Sequence, residues 1–266
     1  MSVLTGMPDA GLGDVIITRP LAQAGVLAQR VTELGRNAIV FPLLDILPLA
    51  DQVPLQRALI DLSGYALIAF VSPNAIDAAF AARPDWPVDI PIAVVGEGSR
   101  QALARHGVTG EHYTIISPTD ADRTDSDTLL LELDLEALRG KNVLIVRGET
   151  GRPLLSDALR AVGVQVTMLA AYRRAAPKFD DARRSELKRL LCCQNDWIVT
   201  SSEALRFFTQ MVAQLDITDG VAKMQQQRII VSHIRIAETA RALGFSNITL
   251  TRSGDDGLLA ALQSRS

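Results

Sequence analysis

The sequence predicts an α/β protein of two similar domains, each a parallel sheet flanked by helices. Three observations carry that prediction. Short apolar runs alternate with helical patterns from about residue 14 onward, and strands joined through helices favour parallel sheets covered on both faces. The blocks of the first half recur in the same order in the second half. Glycines stand where the helical patterns stop, the position a left-handed cap requires. With 266 residues and 48% apolar content, the chain can fill two cores of ordinary size.

The first block, "DVIITRPLAQAGVLAQRVTELGRNAIVFPLLDI" (14–46), gives a strand, a polar turn, a helix ending near Gly35 and a second strand. Pro20 suits a first helical residue. Leu27, Val31 and Leu34 share one helical face. Its counterpart, "NVLIVRGETGRPLLSDALRAVGVQVTMLAAYRR" (142–174), repeats the order, with Leu155, Leu159 and Val162 on one face and a stop at Gly163. The second block appears as "FVSPNAIDAAF" (70–80) and "IVTSSEALRFF" (198–208), where Ala75 aligns with Ala204. The third appears as "IAVVGEGSRQALARHG" (92–107) and "IIVSHIRIAETARALG" (229–244). A further strand follows each copy, "HYTIIS" (112–117) and "NITLT" (247–251). Then come an Asp- and Ser-rich turn and a leucine-rich helix, "TLLLELDLEAL" (128–138) and "DGLLAALQ" (256–263).

Ligands of such folds bind beyond the carboxyl ends of the strands. Every turn of the repeat rich in Ser, Thr, Gly or Arg follows a strand and opens a helix, so these turns gather on one edge of each sheet. Two facing edges would enclose a cleft. Thr18 and Arg19 lie in the first such turn. Arg147 and Arg152 lie in its counterpart, "RGETGR", where Gly148 and Gly151 let backbone approach a ligand. A plain glycine turn with solvated arginines would read the same way. Ser72 and Asn74, with Thr200, Ser201 and Ser202, have the chemistry of helix N-caps, although "TSS" supplies more hydroxyls than one cap needs. Ser99 and Arg235 occupy the third turns, beside Ser232. Tyr172, one of three tyrosines, sets a phenol beside Arg173 and Arg174 at the exit of an apolar run.

Other classes fit poorly. A net charge of −3 argues against general nucleic-acid binding. Gly96 and Gly98 lack the third glycine of a dinucleotide fingerprint. The adjacent Cys192 and Cys193 read as two buried thiols, giving neither a disulfide framework nor a zinc site. His106, His112 and His233 have no metal-ligand spacing. Residues 1–13 read as a flexible leader without the features of a secretory signal, and no apolar run approaches a membrane span. The expectation is a cytoplasmic protein with no membrane or nucleic-acid partner.

Together, "VIITRPLAQAGVLAQRVTELGRNAIVFPLLDI", "FVSPNAIDAAF", "VVGEGSRQAL", "LIVRGETGRPLLSDALRAVGVQV…AYRR", "TSSEALRFF" and "SHIRIAETARALGF" resemble the uroporphyrinogen-III synthases from about Asp14 to Leu262. The resemblance implies a cytoplasmic, cofactor-free enzyme of tetrapyrrole biosynthesis, and a monomer is the expectation. Its substrate would be hydroxymethylbilane, closed to uroporphyrinogen III with inversion of the last pyrrole ring and loss of water. It also implies a two-stranded linker and a first domain completed by the C-terminal half. Domain 1 would then be 1–41 with 174–266, domain 2 would be 46–169, and the linker strands 41–46 and 169–174. By the same resemblance Tyr172 assists departure of the hydroxyl, while Ser72, Asn74, Ser99, Thr200, Ser201 and Ser202 bind substrate. Arg19, Arg147, Arg152 and Arg235 are electrostatic additions from the turn chemistry. Ser99 stands where the family commonly has threonine, and Arg235 and Ile236 stand where many relatives offer a hydroxyl. The alternative is a two-lobed protein that binds a small anion without catalysis.

Overall fold

The computed structural model describes residues 13–118 and 126–264. The leader expected over 1–13 therefore lies, except for Gly13, outside the described residues. In chain order the first elements are β1 (Val15–Ile17), α1 (Leu21–Glu33), β2 (Ala38–Val40) and β3 (Asp45–Leu47). Ala24, Leu27 and Val31 form the buried stripe of α1, the spacing of an amphipathic helix. Gly35, at φ 77°, ends it as expected. Pro20 is the N-cap of α1 and not its first helical residue. Pro42 falls in the gap that separates β2 from β3.

Next come α2 (Val53–Ile60), β4 (Leu67–Phe70), α3 (Pro73–Ala82), β5 (Ile92–Val94), α4 (Glu97–Arg105) and β6 (Ile115–Ile116). The expected single helix over 128–138 is two helices, α5 (Ser126–Glu132) and α6 (Leu135–Leu138). Asp134 breaks it, because its side chain accepts the N–H of Ala137 and caps α6. Then follow β7 (Asn142–Gly148), α7 (Leu154–Ala161) and β8 (Gln165–Ala175). The remaining elements are α8 (Asp181–Leu191), β9 (Asp196–Ile198), α9 (Ser202–Ala213), α10 (Gly220–Gln225), β10 (Arg228–Val231), α11 (Ile234–Ala242), β11 (Asn247–Leu250) and α12 (Asp255–Gln263). Cys192 and Cys193 follow α8 and are exposed, which corrects the expectation of buried thiols. The chain turns there toward β9, and neither side chain faces the core.

The protein folds as two compact units. One takes the chain up to Asp45 and again from Ala175; the other is Ile46–Arg174. Among the described residues, the first unit's sheet has the order β2-β1-β9-β10-β11, and the second's has β8-β7-β4-β5-β6 with β3 added beside β8. These orders are the same repeat. β1 and β2 correspond to β7 and β8, and β9, β10 and β11 correspond to β4, β5 and β6. The first unit thus joins the opening block of one copy to the later blocks of the other: β1 pairs in parallel with β9, Ile16 opposite Trp197. The second pairs β7 with β4 in the same way. Every residue of β4, β9 and β10 is buried, as parallel strands covered on both faces require. One core of the second unit, around Phe70, Phe80 and Trp86, includes Tyr172.

Candidate functional site

In the second unit the chemistry collects where β7 and β8 end. Their parallel register slips between Arg147 and Gly148: Arg147 lies opposite Ala170, and Gly148 opposite Tyr172. The slip brings the Tyr172 ring over the Gly148 backbone. A Cβ on Gly148 would lie 3.0 Å from Cζ of the phenol and 3.2 Å from its oxygen. Glu149 then donates its N–H to the Tyr172 carbonyl at 2.8 Å. The sequence marked Gly148 as a place for a ligand to approach; the side chain of Tyr172 is what approaches it. Tyr172 is only 2% exposed.

Among the described residues the phenol oxygen has two side-chain partners. Ser72 Oγ stands 3.1 Å away, with either hydroxyl able to donate, and Arg174 Nη2 donates at 3.3 Å. The Arg174 guanidinium carbon also lies 5.8 Å from the ring centroid. Ser72 is at the same time the N-cap of α3, its Oγ accepting the N–H of Ala75 at 3.2 Å. Asn74 is half-buried in the first turn of that helix. Arg147 donates to the carbonyls of Gly148 and Arg152 and approaches the sulfur of Met168, all neutral acceptors. Its pKa is lowered, first by burial and then by the positive Arg174, with Tyr172 acting in the opposite direction. Arg147 is drawn onto the turn's own backbone, and Arg152 is exposed. Ser99 is buried in α4, whose N-cap is Gly96, so it is not that helix's cap.

The first unit carries the parallel set. Ser201 is the N-cap of α9 and accepts N–H groups from Glu203 and Ala204 at 3.2 and 3.4 Å. It corresponds to Ser72 in the repeat. Thr200 is half-buried beside it. Ser202 is turned toward α11, accepting from Thr239 Oγ1 at 3.0 Å and donating to the Arg235 carbonyl at 3.4 Å. The N-cap of α11 is His233, whose Nδ1 accepts the Arg235 N–H at 3.3 Å. Sequence reasoning missed this cap, since histidine is not among the usual capping residues. Arg235 Nη2 lies 3.5 Å from the other ring nitrogen. Arg19 pairs with Asp255 at 2.6 Å, in the first turn of α12, so its charge already faces a carboxylate within the protein. Among the described residues no group of three His, Cys, Asp or Glu side chains comes together in a way that could hold a metal ion, and no helix is long and apolar enough to cross a membrane.

Fold and site define a duplicated two-domain α/β protein whose strand-end turns carry hydroxyl caps and, at one turn, a phenol held by a serine and an arginine. The family model described as "Uroporphyrinogen-III synthase HemD" matches residues 25–260. The chain is 31% identical over 254 residues to uroporphyrinogen-III synthase of Salmonella typhimurium, covering 94% of this chain and 99% of that protein. It is 32% identical over 260 residues to the Escherichia coli K12 enzyme of the same name, again covering 94% and 99%. Its fold is similar to the crystal structure of uroporphyrinogen-III synthetase from Helicobacter pylori, with TM-score 0.63, 12% identity, and 96% and 100% of the two chains covered. A mutant uroporphyrinogen III synthase from Thermus thermophilus gives TM-score 0.58 at 15% identity, covering 95% and 98%.

The chain belongs to the uroporphyrinogen-III synthase family. It is a cyclising lyase of tetrapyrrole biosynthesis. The alternative of a binding protein without catalysis finds no support in these relationships.

Proposed function

We propose that the ring closure of hydroxymethylbilane to uroporphyrinogen III is assisted at Tyr172. One observation carries this: the phenol oxygen is fixed between Ser72 and Arg174 at the end of β8. The phenol lends a proton to the terminal hydroxyl, the C–O bond breaks, and water leaves as the pyrrole nitrogen supplies electrons to the remaining carbon. That carbon bonds to the substituted α-carbon of ring D, giving a spiro centre that fragments and closes again with the ring inverted. The proton released when the last ring regains aromaticity balances the one lent at the start. The protein's larger contribution is to hold the bilane in the folded pose, since inverted closure must outrun direct closure. Tyr172 is buried, so the side chains over its hydroxyl must yield when substrate binds. The many other contacts of so large a ligand can drive that movement.

Eight carboxylates need receptors, and strand-end turns supply backbone N–H groups, hydroxyls and guanidinium groups. In the second unit Ser72, Asn74, Ser99, Arg147 and Arg152 serve as these receptors. Arg147 suits the role best, because it is partly desolvated and its acceptors are neutral. In the first unit the corresponding donors are Thr200, Ser201, Ser202, Arg235 and Arg19, of which Arg19 would have to exchange Asp255 for a substrate carboxylate. We further assign domain 1 to 1–41 with 174–266 and domain 2 to 46–169. The linker strands are 41–46 and 169–174, and the protein is a cytoplasmic monomer.

Tyr172→Phe tests the catalytic assignment. With freshly generated hydroxymethylbilane we expect kcat to fall about 100-fold or more, the order of a lost general acid, with the circular dichroism spectrum kept. Unchanged kcat would remove Tyr172 from the chemistry.

A further inference from the structure

Resting on the assignment of Tyr172 as proton donor, we infer that Arg174 is a positioning residue that keeps the phenol proton available to the leaving hydroxyl. A guanidinium has only donors, so where Arg174 Nη2 meets the phenol at 3.3 Å the phenol oxygen must accept. The other contact, to Ser72 at 3.1 Å, can run in either direction. Ser72 Oγ already accepts the Ala75 N–H, so its own proton is the movable one. When a substrate oxygen takes the phenol proton, Ser72 can turn and donate to Tyr172, and no hydrogen bond in the cluster is lost. Arg174 makes this exchange favourable. It occupies one acceptor direction of the phenol oxygen permanently, and its positive charge lies where negative charge grows as the proton leaves. The same charge reaches Arg147, whose pKa is lowered first by burial and then by Arg174.

The arrangement reaches from the far end of one strand to a helix cap 100 residues earlier, and each contact has a separate structural origin. Ser72 is placed by capping α3, Arg174 by alternation along β8 two residues past Tyr172, and the ring by the slip at Gly148. None of these alone requires the other two to converge on one oxygen.

The experiment is a double-mutant cycle between Tyr172→Phe and Arg174→Met, read as kcat and KM separately on hydroxymethylbilane. Arg174→Met alone should lower kcat by about 10- to 100-fold, within the general-acid range, with KM changed less than about threefold. Arg174→Lys, which keeps a charged donor, should recover most of that loss. In the Tyr172→Phe background Arg174→Met should cost nothing further, because the hydroxyl on which it acts is gone. An equal additional loss in that background would overturn the inference, as would a rise in KM at unchanged kcat, which would make Arg174 a carboxylate receptor. If Tyr172→Phe is slow and Arg174→Met is not, this inference fails and the role of Tyr172 stands. If Tyr172→Phe is fully active, that role fails first. Should Arg174→Met not fold, Arg174→Gln takes its place in the cycle with the same expected loss and the same overturning results.

Discussion

A Cβ on Gly148 would meet the Tyr172 ring at 3.0–3.3 Å, closer than such atoms normally pack. Gly148→Ala should therefore push the phenol by a few tenths of an ångström and weaken its contact with Ser72. Overpacking of this kind costs roughly 1–3 kcal/mol. We expect a modest fall in melting temperature and a disproportionate fall in kcat; wild-type kcat at reduced stability would separate the glycine from the chemistry. Legibility at this scale was partial. The sequence singled out Gly148, Tyr172 and Ser72, because rarity, turn chemistry and resemblance each marked them. It did not reveal that all three meet, since their meeting depends on a one-residue slip between β7 and β8. Nor did it show that Arg19 faces Asp255, a pair 236 positions apart. Both are contacts of tertiary structure, which local patterns do not encode.

At the scale of elements, Ser72 and Ser201 open α3 and α9 in the same way, each with its hydroxyl accepting an N–H from the first helical turn. Replacing either by alanine should cost about 1 kcal/mol of stability through the lost cap. Their kinetic consequences should differ, because Ser72 alone also holds the phenol. Ser72→Ala should act mainly on kcat, Ser201→Ala mainly on KM; the reverse split would exchange the roles proposed for the two turns. Such helices were readable because buried residues recur at three and four positions and glycines of positive φ end them, as at Gly35, Gly107, Gly163 and Gly244. The places where reading faltered have particular causes. Asp134 interrupts an otherwise continuous leucine-rich pattern by bonding back to the chain. His233 caps with a ring nitrogen, a donor–acceptor geometry that no periodicity signals.

For the whole molecule, the exchange of blocks makes the first unit depend on contacts between distant parts of the chain. β1 has to find β9 before its sheet exists, and a buried charge network marks that junction. Asp196, fully buried at the start of β9, receives Arg36 at 2.9 Å and Arg228 at 3.3 Å. Arg36 reaches it from the turn before β2, and Arg228 from β10, so one carboxylate ties together three strands of the sheet. Arg36 also donates to the Gly13 carbonyl and Arg228 to that of Ala261, which brings in the start of the described chain and α12. Removing the carboxylate would leave two guanidinium groups buried against each other's charge, a defect that typically costs about 3–5 kcal/mol. Asp196→Asn keeps the size and removes the charge, so it isolates that term. We expect a large loss in urea midpoint, together with slower refolding if β1 and β9 pair early, while any folded fraction retains wild-type kcat because the network belongs to the unit that does not hold Tyr172. A midpoint within experimental error of wild type would mean that hydrophobic contacts such as Ile16 beside Trp197 suffice to join the separated halves of the unit.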